Sequence, residues 1–570
     1  MVLKNNNIKY LINSLSLFIF LLALSAPALA EDVSRFYGQW PSVLPPLLAI
    51  AFALLFKRVI PALFLGIWLG AWLAYDLSLP GLGKGLLDTF HVYAKQELAD
   101  ADHAAVILFS LMIGGMVGII SRNGGMQGIV ESIVSWANSA RHAMLSTATM
   151  GLAIFFDDYA NTLVVGNTMR SVTDAVKVSR EKLAYIVDST AAPVACIALI
   201  TTWVGYEVGL IGDALNNIPA LNEQPYLVYL YTIPYSFYPI FALLFVFMVC
   251  ASGRDFGPML QAERKARRQG VNADEVSQGA ASDAAPIQPI DGKPRRAVNA
   301  LLPVAVLIGS VLVGLYVTGS AGLDGANASL RDIVGAADSY TALMWASLLG
   351  MITAAVLSLA QRILNLEQVV DAWYRGLRAM LKAIIILILA WSLGSVTTDL
   401  GTSQFLVQAL GDTLPAWTLP TLVFLLAAAT GFGTGSSWGA MGILIPLVIP
   451  LTWALMVSQG LGAPEHMHIL YSAIASVLAG SVWGDHCSPI SDTTILSSLA
   501  SGCNHVEHVR TQLPYAGLVG AVAIGLGSLP VALGLPVWVA LPAGALLLFV
   551  LLRVLGKPAE EQPAGAPESP

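Results

Sequence analysis

The chain has 570 residues, of which 56% are hydrophobic and only 11% are charged, and its mean hydropathy is +0.70. A soluble protein carries about 25% charged residues, so this composition excludes a soluble globular protein and indicates one that crosses a membrane several times. The net charge of −7 comes with no basic domain, which excludes nucleic-acid binding. The four cysteines are irregularly spaced in or beside apolar stretches and predict no disulfide framework.

The first thirty residues have the pattern of a secretory signal peptide. Lys4 and Lys9 precede an apolar run from residue 10 to 24, and small residues at 28 and 30 stand before the first acidic pair. We expect cleavage after Ala30, which places the mature N-terminus outside the cytoplasm. An uncleaved first membrane span is the alternative.

Apolar stretches of about 20 residues, the length that crosses a bilayer, recur through the rest of the chain. They predict an all-α, polytopic membrane bundle of about 12–13 transmembrane segments. The predicted spans are 42–56, 58–78, 104–121, 143–169, 183–209, 235–251, 298–318, 340–360, 377–397, 418–457 (two passes or a hairpin), 469–499, 514–532 and 535–552.

These spans group into two halves. We predict an N-terminal transmembrane repeat at 31–251, a flexible cytoplasmic linker at 252–297, a C-terminal transmembrane repeat at 298–552 and a disordered cytoplasmic tail at 553–570. The linker is placed inside because cytoplasmic loops carry an excess of lysine and arginine.

Other basic clusters fix the direction of individual spans. Residues 170–182 and 362–382 are rich in lysine and arginine and are also placed inside. On this assignment the span at 104–121 runs towards the cytoplasm and the span at 377–397 runs away from it. The two halves are therefore predicted to be antiparallel.

Two sequence echoes support an internal repeat. Gly118, Gly125, Phe156 and Gly166 recur at one constant spacing as Gly394, Gly401, Phe432 and Gly442. The polar run before Pro193 also resembles the polar run before Pro489, and each proline leaves the carbonyl four residues back without its helical donor. Inverted repeats with broken helices or re-entrant hairpins are typical of secondary transporters, which bind their substrates near the membrane midplane.

The first polar break contains two adjacent aspartates, Asp157 and Asp158. Neighbouring helical residues point about 100° apart, so both can face one site only if the helix breaks there. The sequence leaves open which aspartate faces the site. Asn161, Asn167 and Thr168 follow on the same run and are further candidate ligands.

The second break contains Asp188 and Ser189, shortly before Pro193. Both are candidate ligands. The alternative is that they cap the N-terminus of a helix near the inner surface, because capping is a common role of these residue types.

The third break is the glycine-rich run at 431–439. Its alternating glycines permit backbone conformations that are closed to other residues, and unwound carbonyls with hydroxyl oxygens suit a hard cation. Close packing between helices is the alternative. The candidate ligands are Thr434, Gly435, Ser436 and Ser437.

The fourth break, residues 483–494, interrupts apolar sequence on both sides. A charge at that depth costs about 2.5–3.5 kcal/mol on insertion scales, so ionisable residues there indicate a functional site. The alternative is a proline kink whose polar side chains bond between helices. For His486 both a proton relay and such a structural hydrogen bond are open. The candidate ligands are Asp485, His486, Ser488, Ser491, Asp492 and Thr493.

The runs at 156–170, 179–193 and 484–494 resemble the NhaC-type sodium/proton antiporter family, and the resemblance covers residues 40–550. It implies a bacterial inner-membrane exchanger within the inverted-repeat ion transporters. The family also includes exchangers of organic acids or amino acids, such as malate for lactate. The run at 503–508 does not match common zinc spacings, and we assign it to a cytoplasmic loop.

We therefore expect a multi-pass carrier that exchanges Na⁺ for H⁺ by alternating access, with Na⁺ at Asp157, Asp485 and Asp492 and protons competing for the same carboxylates. The alternative is a Na⁺- or H⁺-coupled carrier or exchanger of a small organic acid or amino acid. No cofactor and no enzyme activity are expected, because no nucleophile–base constellation is recognisable. The expected partners are the transported ions and the lipid bilayer, and a homodimer is a compatible assembly.

Overall fold

The computed structural model describes residues 34–56, 58–134, 137–218, 220–221, 223–271, 287–321, 333, 336–410 and 414–559. It is 81% helical, and its strands form one two-stranded antiparallel ribbon, β1 (Arg254–Asp255) with β2 (Lys557–Pro558). The predicted signal peptide, the end of the predicted tail and the middle of the predicted linker lie outside the described residues.

Thirteen α-helices precede the ribbon strand β1, and one follows it within the predicted linker. Side-chain caps mark several helix starts: Asp100, Ser139 and Ser179 each accept a hydrogen bond from a backbone N–H in the following first turn. The helices are α1 (Leu44–Phe56), α2 (Val59–Ala74), α3 (Leu79–Asp88), α4 (Lys95–Ala99), α5 (Ala101–Arg122), α6 (Gly125–Val134), α7 (Ala140–Ala153), α8 (Asp158–Ala175), α9 (Arg180–Ser189), α10 (Ala192–Ala195), α11 (Val204–Asn216), α12 (Pro225–Thr232), α13 (Phe237–Ser252) and α14 (Gly257–Gln269).

The helices of the second half begin at Val298. Asn365 and Gln368 form a reciprocal capping box at the start of the longest one. These helices are α15 (Val298–Ala321), α16 (Ser339–Ala360), α17 (Leu366–Asp399), α18 (Thr402–Leu410), α19 (Leu419–Thr434), α20 (Ser437–Ser458), α21 (Met467–Cys487), α22 (Asp492–Ser501), α23 (His505–Val522), α24 (Leu529–Ala532) and α25 (Val537–Leu555).

Nine helices in the described part of the chain are long and apolar enough to cross a membrane, and a tenth span forms if α12 and α13, which meet at a 50° bend, are joined. The predicted all-α membrane bundle with broken helices is thus confirmed. The count falls below the predicted 12–13 for two reasons. The predicted spans at 42–56 and 58–78 form helices of fewer than 18 residues, Trp40–Phe56 and Val59–Ala74. The predicted spans at 143–169 (α7 and α8) and 183–209 (α9 to α11) are broken into shorter pieces. The span at 469–499 is also broken, but α21 alone is long enough to cross.

The spans differ in how much of their surface packs inside the protein. Most of the apolar window in Pro464–Cys487 (78%) is buried, whereas only 28% of the window in Val537–Leu555 is. The first therefore lies in the centre of the bundle, and the second presents most of its apolar side chains outwards, where lipid would cover them.

Helices α5 and α17 form a close antiparallel crossing between the two halves. Gly114 lies against Met380, and Gly118, one turn later, lies against Ala372, which is two turns earlier on α17. A Cβ atom at Gly376 would lie 2.1 Å from the carbonyl oxygen of Gly114, so small residues allow the two backbones to touch. The opposite directions of these two spans agree with the prediction from charge.

The start of the predicted flexible linker is folded. Strand β1 and helix α14 dock on the end of the bundle, where Asp255 pairs with the buried Lys182 and accepts a hydrogen bond from Tyr515 at 2.5 Å. Glu263 of α14 accepts a hydrogen bond from the backbone N–H of Ser179 at 2.7 Å. Within the predicted linker, residues 254–269 are therefore held on α9 by the ion pair of Asp255 with Lys182 and by the hydrogen bond from the cap residue Ser179 to Glu263.

Replacing Gly376 with leucine should force α5 and α17 apart. We expect the free energy of unfolding to fall by about 1–3 kcal/mol, the usual cost of overpacking, measured as a lower Tm of the purified protein in detergent. Gly309→Leu is the matched control, because no atom lies within 4 Å of a Cβ built at this exposed helical glycine. Equal Tm values for the two variants would contradict the tight crossing.

Candidate functional site

The break between α7 and α8 gives its two aspartates different roles. Asp157 caps α8: its backbone is extended, and Oδ1 accepts a hydrogen bond from the N–H of Ala160 at 2.7 Å. Asp158 is the first residue of α8 and is 2% exposed, and its Oδ2 has no hydrogen-bond partner among the described residues. The structure therefore brings both carboxylates inside, and Asp158 is the one with an oxygen available to a ligand.

Further oxygen atoms without partners lie beside Asp158. Asn161 uses its amide nitrogen to bond the carbonyls of Gly151 and Thr190, both at 2.8 Å, and leaves Oδ1 unpaired. The hydroxyls of Thr162 and Thr202 are also buried without a partner in the described part of the chain. Buried polar atoms are normally paired, so this group is a candidate site for a hard cation, which prefers oxygen ligands.

Asp188 lies in the last turn of α9, where it accepts three hydrogen bonds. Thr494 donates at 3.1 Å, Ser497 at 3.2 Å and the amide nitrogen of Gln512 at 2.7 Å. Because the cap of α9 is Ser179, at its other end, the alternative of Asp188 as a helix cap is wrong. Asp188 instead joins α9 to α22 and α23.

His486, near the end of α21, has a partner on each ring nitrogen. Its Nδ1 lies 2.6 Å from the hydroxyl of Tyr238 on α13, and its Nε2 lies 3.0 Å from the hydroxyl of Ser189 on α9. Gln512 donates to its backbone carbonyl at 2.6 Å. Of the two roles considered for His486, these contacts favour hydrogen bonding between helices.

Gln512 and His508 also belong to this network, although they are not among the predicted site residues. The run at 503–508 is predicted as a loop, but α23 begins at residue 505, and His508 on this helix is completely buried. His508 Nε2 lies 2.9 Å from Gln512 Oε1 and Nδ1 lies 2.8 Å from the hydroxyl of Ser498. The spacing of four residues between His508 and Gln512 puts them on one helix face, and that signal was available in the sequence.

The fourth break separates α21 from α22 and turns its two aspartates to different sides. Asp485 is 3% exposed and accepts a hydrogen bond from Thr493 at 2.9 Å. Asp492 is 45% exposed and pairs with Lys382 of α17 at 2.5 Å. Ser491 caps α22 and lies 2.9 Å from the hydroxyl of Thr493. Only Asp485 of the pair therefore faces the interior.

The third break, between α19 and α20, touches the fourth. Gly435 ends α19 in the left-handed conformation, and a Cβ there would lie 2.5 Å from the carbonyl oxygen of Ile490. Ser488 donates to the carbonyl of Phe432 at 2.7 Å. Ser436 caps α20 through the N–H of Gly439, the role that Asp157 has at the start of α8.

The remaining candidates lie at varied distances from these contacts. Thr434 donates to the carbonyl of Thr430 in its own helix, and Ser437 is buried at the start of α20. Asn167 is exposed and also bonds its own helix, and Thr168 is half-buried. The structure does not bring Asn167 into the group around Asp158.

The four breaks meet through α8, α11 and α22. Tyr159 of α8 lies close enough to interact electrostatically with four of the five predicted aspartates, Asp157, Asp158, Asp485 and Asp492. At the start of α11, the N–H of Thr202 donates to the carbonyl of Phe156 at 3.0 Å, and the ring of Trp203 lies 5.3 Å from that of Trp438. Residues separated by hundreds of positions thus surround one region of the bundle.

Glu207 is a further buried carboxylate, and it is not among the predicted site residues. It lies on α11, is 0% exposed, and has the thiol of Cys196 as a side-chain partner. The sequence contained a signal, because an ionisable residue within a predicted span is a candidate functional residue.

Comparison with known proteins identifies the family. The model of the Na⁺/H⁺ antiporter family matches residues 194–529, more than half of the chain. This chain belongs to the Na⁺/H⁺ antiporter family. The resemblance of the motifs to this family is confirmed, and the family shows that the protein is a secondary transporter.

Three known proteins are similar to this chain over different parts of its length. An uncharacterized protein of Haemophilus influenzae is 32% identical over 521 residues, covering 90% of this chain and 95% of that protein. The arginine/ornithine antiporter ArcD of Halobacterium salinarum is 27% identical over 232 residues, 40% of each chain. The solved YdaH transporter of Alcanivorax borkumensis has a TM-score of 0.55 at 15% identity, covering 86% of this chain and 99% of that one, which shows likeness of fold alone.

Replacing Gln512 with methionine should destabilise the bundle. The substitution removes the donor to Asp188 and to the carbonyl of His486 and the partner of His508, and each buried group left unpaired costs about 1–3 kcal/mol. We expect a lower Tm in detergent than for the wild type. Gln408→Met, at an exposed position of α18, serves as control and should leave the Tm unchanged. Equal Tm values for the two variants would show that the hydrogen bonds of Gln512 do not hold these helices together.

Proposed function

We propose that this transporter exchanges Na⁺ for H⁺ across the bacterial inner membrane by alternating access, with its signal peptide removed. The observation that carries the proposal is the buried carboxylate of Asp158, whose Oδ2 has no partner among the described residues. Asn161 and Thr162, three and four residues later on the same helix, also have side-chain oxygens without a partner there. Such a set of oxygens suits a hard monovalent cation, and family membership supports ion exchange.

Burial is the reason that Na⁺ and H⁺ compete at this carboxylate. A charged carboxylate in an apolar interior is costly unless it is paired or hydrogen-bonded. Asp158 can remove that cost by binding Na⁺ or by taking up a proton, and the first excludes the second. Each turnover therefore moves the two ions in opposite directions if the site opens to each side in turn.

Asp485 is the second carboxylate of the proposal. Its side-chain partners are the hydroxyls of Thr493 and Ser491, whereas Asp188 accepts hydrogen bonds from two hydroxyls and from the amide nitrogen of Gln512. We assign Asp188, Ser189 and His486 to holding the helices and Asp158 and Asp485 to exchanging ions. Asp157 supports the site as the cap of α8, and Asp492 is held by Lys382 in the conformation described.

The two halves at 31–251 and 298–552 are proposed to rock against each other, as inverted repeats do around a fixed site. Breaks in both halves contribute to the site, because α8 of the first half packs on α22 of the second, where a Cβ at Gly166 would lie 2.6 Å from Ala500. Relative motion of the halves would then change access to the carboxylates between them.

Exchange of a small organic acid or amino acid is the second candidate function. The similar ArcD protein is named an arginine/ornithine antiporter. The half-exposed pair of Lys382 and Asp492 offers one cationic and one anionic group, which is the complement of an amino acid's carboxylate and amine. The transport assay below is designed to separate the two functions.

Asparagine at Asp158 or at Asp485 should abolish proton movement driven by Na⁺. The amide cannot take up a proton or neutralise Na⁺, so we expect the rate to fall at least about tenfold, which corresponds to about 1.4 kcal/mol. The protein is reconstituted in vesicles with an internal pH dye, and a Na⁺ gradient is applied. Asp371→Asn, which alters an exposed pair with Arg375 on α17, is the matched control and should retain the wild-type rate. Wild-type rates in both site variants would overturn the assignment.

The same vesicles identify the transported solute. We expect Na⁺ alone to move protons in the wild type, with K⁺ as the negative control, because the proposed site is built from oxygen atoms. Arginine, ornithine, malate and lactate are then added in separate runs. A response that requires one of these organic solutes, and its loss in Lys382→Gln, would replace Na⁺/H⁺ exchange with the second function.

A further inference from the structure

A second cluster of ionisable side chains lies at the far end of α11 from the breaks. It consists of Glu97 on α4, His103 on α5 and Asp213 on α11, and one ligand atom of each lies within 4.8 Å of the others. Among the described residues this is the one group of three or more histidine, cysteine, aspartate or glutamate side chains with that geometry. None of the motifs in the sequence pointed to it.

The imidazole of His103 is held in a fixed orientation. Its ring stacks on Trp391 of α17 with centroids 3.7 Å apart and planes 5° from parallel. Its Nδ1 lies 3.1 Å from the backbone carbonyl oxygen of Glu97 and 3.1 Å from carboxylate Oε2 of the same residue, so Nδ1 faces Glu97 and Nε2 faces Asp213. A metal-binding histidine typically uses its other ring nitrogen in this way.

Glu97 and Asp213 are placed to complete a set of donors. Ser395 of α17 donates to Glu97 Oε1 at 2.5 Å and orients the carboxylate, which is 5% exposed. Asp213 Oδ1 lies 3.7 Å from His103 Nε2, too far for a hydrogen bond. Its Oδ2 is buried and has no partner in the described part of the chain.

The separation between His103 and Asp213 fits two ligands of one metal ion. Zinc bonds of about 2.0–2.2 Å in a tetrahedral site place two ligand atoms about 3.4 Å apart. The 3.7 Å between Nε2 and Oδ1 is close to that distance, and a small shift of the side chains would bring it into range. The buried Oδ2 of Asp213, which has no partner among the described residues, leaves a second carboxylate oxygen available as a ligand.

We propose that Glu97, His103 and Asp213 bind a divalent transition-metal ion of the zinc type. An imidazole together with carboxylates favours such an ion over Na⁺ or Mg²⁺, which prefer oxygen ligands alone. The site is distinct from the carboxylates at the breaks, because a rise of 1.5 Å per residue puts Asp213 about 14 Å along α11 from its start. The charge assignment of the loops predicts that it faces the outside.

A bound ion would connect helices of both halves. Its ligands come from α4, α5 and α11, and the residues that orient them, Trp391 and Ser395, come from α17. Metal occupancy would therefore stabilise the protein in the conformation in which these four helices are together.

The test is titration of the full-length, tag-free protein in detergent with ZnCl₂, followed by calorimetry and by thermal unfolding. We expect one Zn²⁺ per chain and a Tm that rises with zinc. His103→Gln and Asp213→Asn, examined separately, should each weaken binding at least tenfold and remove the rise in Tm. His91→Gln alters an exposed histidine that lies close to Glu97 in the sequence. It is the matched control and should bind zinc as the wild type does.

Two outcomes of this experiment would contradict the proposed site. Absence of stoichiometric zinc binding in the wild type, or wild-type affinity in His103→Gln and Asp213→Asn, would overturn the site. The zinc-dependent rise in Tm is compared with each variant's own zinc-free Tm, so a destabilised variant still gives a decision. Asp158→Asn should bind zinc normally, so failure of the proposed ion exchange and failure of this site are distinguishable.

Discussion

A carboxylate buried in an apolar bundle must be paired, hydrogen-bonded or neutralised, and the architecture of this protein follows from that constraint. Asp188 is 1% exposed and satisfies the requirement with three donors from two other helices. Those donors fix the positions of α9, α22 and α23 around it. Asp158 leaves one carboxylate oxygen, Oδ2, without a partner among the described residues, and this difference is why ion exchange is proposed for Asp158 and a structural role for Asp188.

Small residues make these polar contacts geometrically possible. The backbones of α5 and α17 touch at Gly114 and Gly376, and α19 and α21 approach equally closely at Gly484, where a Cβ would lie 2.1 Å from the carbonyl oxygen of Ala428. Close approach allows hydroxyls and amides of one helix to reach the unwound backbone of another, as Ser488 does at Phe432. Tight packing and broken helices are therefore two parts of one arrangement.

Helix α11 connects the two ionisable groups of the bundle. Its start contacts the first and third breaks through Thr202 and Trp203, and its end carries Asp213 beside His103. Glu207 lies between them, buried beside the thiol of Cys196.

The sequence by itself determined the membrane class, the family, the four polar breaks and the opposite directions of two central spans, because apolar length, proline position and loop charge act locally. Only the tertiary structure distinguished Asp157 from Asp158 and Asp485 from Asp492, placed His508 in the network and assembled the cluster around His103. The partners that decide these roles are far apart in the chain, as Asp188 and Gln512 are. Local spacing predicts which side chains share a helix face, but a hydrogen-bond donor on a distant helix is known only after the helices pack.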